Sequence, residues 1–115
     1  MNITRDDDTG TVAVLHCDGR LNMVAAPALR TAVELAVDGG SHHVVVDLAG
    51  TSFVDSSGLG ALVAGLKKAR QAGGDLRIAG AGEQVTAVLA LTNLNRVLRP
   101  YTSVGDARRD WVSPP

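Results

Sequence analysis

The sequence predicts an α/β fold in a single domain, and two observations carry that expectation. From Val12 onward, short β-branched apolar runs alternate with longer segments whose apolar residues recur at helical spacing. That alternation calls for parallel strands joined by crossover helices in packed layers. Ahead of it, Ile3–Arg5 and Thr11–Cys17 flank the polar turn Asp6-Asp7-Asp8-Thr9-Gly10, which adds an antiparallel pair. With 115 residues the chain has room for one core and not two. The expected domain spans 1–115, with a core over about 3–110 and a frayed tail at 111–115.

The second strand, Thr11-Val12-Ala13-Val14-Leu15-His16-Cys17, is expected to end at the turn pair Asp18-Gly19. His16 alternates with Val12 and Val14 and reads as structural, because no second histidine or acid stands at metal-ligand spacing to it. Cys17 is the chain's single cysteine, which excludes an internal disulfide. Within an apolar strand it reads as a buried, inert thiol rather than a redox sensor. Asn22 to Pro27 leads into a helix. Pro27 is acceptable in a first turn, where its missing N–H would be unsatisfied anyway. Leu29, Ala32, Val33 and Ala36 form that helix's apolar stripe, and Gly39-Gly40-Ser41 closes it. His42-His43 reads as a strand entrance, because neighbouring strand side chains face opposite ways and make a poor metal pair.

His43-Val44-Val45-Val46-Asp47-Leu48 is a buried strand by its β-branched run. Leu59, Leu62, Val63 and Leu66 then mark an amphipathic helix over about 57–72. It carries Lys67, Lys68 and Arg70 towards the negative end of its dipole and is stopped by Gly73-Gly74. Val45, Leu62 and Leu66 are expected to pack together. Between strand and helix stand Asp55, Ser56 and Ser57, residue types that cap a helix N-terminus. Taken alone, these are caps. The same place would tolerate an added phosphate, because a helix N-terminus offers free N–H donors and partial positive charge. Leu76–Ala79 is the next strand. Ala81-Gly82-Glu83-Gln84 opens a helix carrying Val85, Val88, Leu89 and Thr92, and Asn93-Leu94-Asn95 ends it. Val97 and Leu98 read as a short final strand stopped by Pro100. Ser103-Val104-Gly105-Asp106 is a capping box with Asp in the acid position, so a last helix is expected towards Trp111.

Composition narrows function by exclusion. A net charge of −1, 3% aromatic residues and no basic cluster leave no nucleic-acid surface and no attraction to an anionic membrane. No apolar run approaches the ~20 residues of a membrane span, and Met1–Asp8 lacks a signal-peptide core. A cytoplasmic protein is expected. Gly-x-Ser-x-Gly, Gly-x-Gly-x-x-Gly and the phosphate loop are all absent, and nothing in the sequence brings Asp18 and Asp55 together as a carboxylate pair. The expectation is a binding module, not an enzyme, with no cofactor or metal of its own.

One stretch resembles a known family. Asp47-Leu48 followed by Ser52-Phe53-Val54-Asp55-Ser56-Ser57-Gly58-Leu59-Gly60-Ala61-Leu62 is similar to the signature of the STAS domain, in particular the small single-domain anti-sigma factor antagonists of bacteria. Gly19-Arg20-Leu21-Asn22 with Ala26 and Leu29, Gly73–Ile78, and Val85, Val88, Leu89 and Leu94 agree with it. The resemblance covers about residues 3–110. It implies a small mixed β-sheet with about four helices packed mainly on one face. It implies that Ser56 is phosphorylated by a partner that is both anti-sigma factor and serine kinase, using ATP and Mg²⁺. The unmodified form would bind that partner and free a sigma factor, which the chain itself meets only indirectly; a phosphatase would reset Ser56.

On this resemblance the partner-binding residues are Asn22, Asp55, Ser56, Ser57, Gly58, Leu59 and Gly60. Asp55 would orient the loop, Ser57 would help cap the helix, and Gly58 and Gly60 would keep its first turn slim for a partner's backbone. Asn22 departs from the acid that the family commonly has there, which lowers the loop's charge. Two readings from other classes stand beside this one: a non-switching scaffold subunit of a signalling assembly, and an accessory module for a small ligand.

Overall fold

The computed structural model describes residues 1–7 and 11–111. Of the turn expected at 6–10, Asp6 and Asp7 belong to the first strand and 8–10 lie outside the described residues. Of the tail expected at 111–115, Trp111 is packed against Arg77 and His43, and 112–115 lie outside them. Six strands and four helices follow in the order β1 (Asn2–Asp7), β2 (Val12–Leu21), α1 (Ala26–Asp38), β3 (His43–Asp47), β4 (Thr51–Val54), α2 (Ser56–Gln71), β5 (Asp75–Ala79), α3 (Glu83–Leu91), β6 (Pro100–Tyr101) and α4 (Val104–Arg108). The sheet is mixed, ordered β1-β2-β3-β5-β6. β1 runs antiparallel to β2, with Ile3 opposite Cys17; β2, β3, β5 and β6 are mutually parallel. The α/β class and the antiparallel opening pair are as the alternating runs predict.

Side-chain alternation splits the sheet into two faces. Leu15, Val44, Val46, Leu76 and Ile78 point into the main core, where Leu29 and Val33 of α1, Leu62 and Leu66 of α2, and Val85 and Leu89 of α3 cover them. Val45 does not join Leu62 and Leu66 as expected. It faces the other way, packed with Val12, Val14, Ala79 and Ala107 under α4. In a run of three valines apolar on both faces, hydrophobicity alone gives no direction. The small second core is closed by Arg77. Its guanidinium lies 4.1 Å from the Trp111 ring centroid, donates to the Ala107 carbonyl at 2.7 Å and pairs with Asp110 at 2.7 Å. Of the expected Ser103–Asp106 box the serine half forms, the Ser103 hydroxyl accepting from the Asp106 N–H at 3.1 Å, while the Asp106 carboxylate pairs with Arg109.

Three local expectations are corrected. Asp18-Gly19 does not end the second strand. β2 continues through a bulge between Gly19 and Arg20, with Gly19 at φ +116°, and then pairs in parallel with β4. A positive φ is open to glycine without steric cost, so a residue pair that commonly turns a chain here redirects a strand instead. β4, Thr51–Val54, is a strand that the expected elements, which run from the strand ending at Leu48 straight to the Asp55 cap, do not contain. Val97 and Leu98 are not a strand: both N–H groups donate to the Leu94 carbonyl, at 3.0 and 2.7 Å, so neither is free for a ladder. The last strand starts two residues after Leu98, at Pro100, the residue expected to stop it.

His16 and Cys17 hold structural places. His16 Nδ1 lies 2.7 Å from Asp47 Oδ2, and the other oxygen of Asp47 accepts from the Ala49 N–H at 3.0 Å, shaping the turn into β4. Cys17 is buried. Desolvation first, then the charges of Asp47 and Asp18, push its thiol up to about 12, so almost no thiolate exists at neutral pH. His43 packs on Trp111 at 4.9 Å between ring centroids. Among the described residues no helix is long and apolar enough to cross a membrane, and no group of three His, Cys, Asp or Glu is arranged to hold a metal.

Candidate functional site

The site is built where β4 gives way to α2. Asp55 is the N-cap. Its backbone is extended (φ −109°, ψ −173°), and its Oδ1 accepts from the Gly58 N–H at 2.9 Å, satisfying one of the first turn's orphan donors. The capping role expected of Ser57 therefore belongs to Asp55. Ser56 is the first helical residue and its side chain is exposed, whereas Ser57 is half-buried. Of the two adjacent hydroxyls, Ser56 is the more accessible to a second protein.

Three contacts fix the loop from behind. The Asp55 N–H donates to the Leu21 carbonyl at 3.3 Å, tying the end of β4 to the end of β2. The Gln84 side chain bonds the free edge of β4 at Val54 as another strand would: its Oε1 accepts from the Val54 N–H at 2.9 Å and its Nε2 donates to the Val54 carbonyl at 3.1 Å. Val54 itself is buried. Gln84 and Leu21 are thus parts of the site that the sequence does not disclose; the only signal at Gln84 is its place at the start of a helix.

Gly58 and Leu59 turn inward. Leu59 is 6% exposed, and Gly58 lies against Leu21 and Val54. The slimness of Gly58 serves an approach within the molecule, not a partner's backbone: a Cβ there would collide with the Leu21 carbonyl oxygen. Gly60 is half-buried, with the Arg30 guanidinium as its neighbour across the helix pair. Asn22 stands beside Leu21. Its Oδ1 accepts from the N–H groups of Val24 and Ala25, each at 3.1 Å, so the amide closes the turn into α1. A carboxylate at this position could accept the same bonds, so the departure at Asn22 removes charge and keeps the turn. Met23 and Val24, at 72% and 84% exposure, stand on that turn as large apolar side chains in solvent.

The arrangement offers no nucleophile–base pair. It presents an exposed hydroxyl on a rigid helix end, beside one carboxylate and an apolar turn.

Comparison with known proteins gives this fold and site a class. A family model described as the STAS domain matches residues 2–107, and the chain belongs to that family. Within it, the chain is similar to proteins named as anti-sigma factor antagonists. The anti-sigma-B factor antagonist of Staphylococcus epidermidis is 32% identical over 80 residues, covering 70% of this chain and 74% of that protein. The crystal structure of an anti-sigma factor antagonist from Mycobacterium paratuberculosis superposes with a TM-score of 0.83 at 28% identity, covering 95% of this chain and 92% of that one. SpoIIAA in its unphosphorylated form shares the fold at a TM-score of 0.82 and 18% identity, with 98% of this chain and 100% of that chain covered.

Proposed function

We propose that this chain is an anti-sigma factor antagonist whose binding is switched off by phosphorylation of Ser56. The observation that carries the proposal is the exposed Ser56 hydroxyl at the first position of α2, directly after the capping Asp55. The names of the similar proteins support the class. The existence of SpoIIAA structures in unphosphorylated and phosphorylated forms supports a fold that survives such a modification. The partner in this reading is an anti-sigma factor that is also a serine kinase using ATP and Mg²⁺. A phosphatase resets Ser56, and the sigma factor is freed without touching this chain.

The physics of the switch follows from the geometry. The helix N-terminus favours an added anion, so phosphate leaves the fold intact. The same phosphate adds a charge of roughly −1.5 to −2 in the contact surface. It sits one residue from Asp55, and a partner that docks there must desolvate both. Like-charge repulsion and desolvation act together on the complex while the free protein stays folded.

Two substitutions test this. Ser56→Ala should fold with stability within ~0.5 kcal/mol of the parent, because Asp55 and not Ser56 supplies the cap. It should bind the partner kinase as tightly as the parent and lose its sensitivity to ATP. Ser56→Asp should fold and bind at least about tenfold more weakly, ~1.4 kcal/mol. Equal, tight binding of both variants in calorimetry would exclude a charge switch.

A further inference from the structure

α1 and α2 run side by side in the same direction, and their solvent edge forms a ladder. At one end Lys68 Nζ pairs with Asp38 at 2.9 Å. In the middle Glu34 and Ala64 line a shallow cleft together with Arg30 and Lys68. At the other end an Arg30 Nη2 lies 3.5 Å from where a Cβ on Gly60 would stand. On α2 these rungs are Gly60, Ala64 and Lys68, one turn apart on a single face. The next position of that stripe towards the N-terminus is Ser56.

The charges on the ladder do not balance at that end. Asp38 is answered by Lys68, and Glu34, one turn after Arg30 on α1, lines the same cleft but forms no ion pair with it. Among the described residues, no hydrogen bond or ion pair engages Arg30. Arg20, another cation near this end of the molecule, is engaged in stacking on Phe53 at 4.7 Å. Arg30 is thus an unanswered guanidinium that leans over the glycine one turn below the exposed serine. Residues one turn apart on a helix face have Cβ atoms about 5–6 Å apart. A phosphate on Ser56 therefore comes within reach of Arg30 through a change of side-chain torsion alone.

We propose that Arg30 is the intramolecular counter-ion of the phosphate on Ser56. The inference rests on the reading of Ser56 as the modified residue and adds how the modified state is held. A guanidinium can take two phosphate oxygens at once in a planar fork. That pairing links α1 to the first turn of α2 across the seam. It completes the ladder that Asp38–Lys68 begins and withdraws Arg30 from any partner that docks over Ser56.

The test needs neither kinase nor partner. Phosphoserine is incorporated at position 56 of the full chain during translation, and its second ionisation is followed by ³¹P NMR across pH. Free phosphoserine titrates near pH ~6. With Arg30 present the midpoint should lie lower than in Arg30→Gln by about half a unit or more, the direction a nearby cation imposes. Arg30→Lys should recover part of the difference, and salt should shrink it. Arg20→Gln, which removes the same charge elsewhere, should leave the midpoint in place. Equal midpoints in parent and Arg30→Gln would overturn the pairing, as would an equal shift in Arg30→Gln and Arg20→Gln. A kinase that ignores Ser56 would defeat the proposed switch without moving these midpoints, so the two failures are separable.

Discussion

Leu62→Ala should cost ~2–5 kcal/mol of stability, the range for truncating a buried leucine. Leu62 is fully buried on the inner face of α2 and joins the core formed with Val44, Val46, Leu76 and Leu66. A chain of this size has ~5–15 kcal/mol in total, so the loss is a large share of it. Chemical denaturation should show a lower midpoint with the slope unchanged. Partner binding should fall as well, although Leu62 is out of a partner's reach, because α2 carries Ser56 on its first turn. An unchanged midpoint would mean that α2 does not dock through this face, and the placement of Ser56 would fail with it.

Gly58→Ala should be the more instructive loss, because two effects oppose each other there. Replacing glycine by alanine inside a helix ordinarily favours the helix by ~1 kcal/mol. At Gly58 the new Cβ would collide with the Leu21 carbonyl oxygen and stand 2.8 Å from Leu21 Cγ and Val54 Cγ2. The Leu21 carbonyl is also the acceptor for the Asp55 N–H, so it cannot give way without releasing the loop. Overpacking of this kind costs ~1–3 kcal/mol or more, and a clash with backbone places Gly58 at the upper end. The clash wins: a net loss above ~1 kcal/mol is expected in denaturant. Partner binding should weaken further than stability alone would explain. Gly60→Ala is the contrast. Its Cβ would meet only Arg30, at an ordinary 3.5 Å, so the substitution should be neutral or gain up to ~1 kcal/mol. A Gly58→Ala protein as stable as the Gly60→Ala one would show that the two helix glycines are equivalent and that Leu21 does not press on the site.

These two glycines show where sequence reading succeeds and where it stops. The helices are legible because their apolar spacing and caps are local: the stripe from Leu59 to Leu66, and the Ser103 cap at the start of α4. The site is legible because Asp55-Ser56-Ser57-Gly58 combines a local cap with a recognisable family pattern. What is not legible depends on partners distant in the chain. β4 is four residues of mixed polarity, and it is a strand because β2 runs on past Gly19 to meet it. Gly58 and Gly60 look alike in sequence, yet only Gly58 faces the Leu21 carbonyl. Val45 differs from Val44 and Val46 only in the parity of its position, and that parity is set by the register of β2 and β5 on either side. Gln84 becomes a site residue only because α3 lays its first turn along the edge of β4.

Ser56 as the phosphoacceptor is tested most directly by incubating the protein with its cognate kinase and ATP and mapping the phosphate by fragmentation mass spectrometry. The exposed hydroxyl at the first position of α2 predicts a single phosphate on Ser56, with half-buried Ser57 unmodified and Ser56→Ala accepting none. Phosphate confined to Ser57, or a chain left unmodified by a kinase that binds it, would contradict the account.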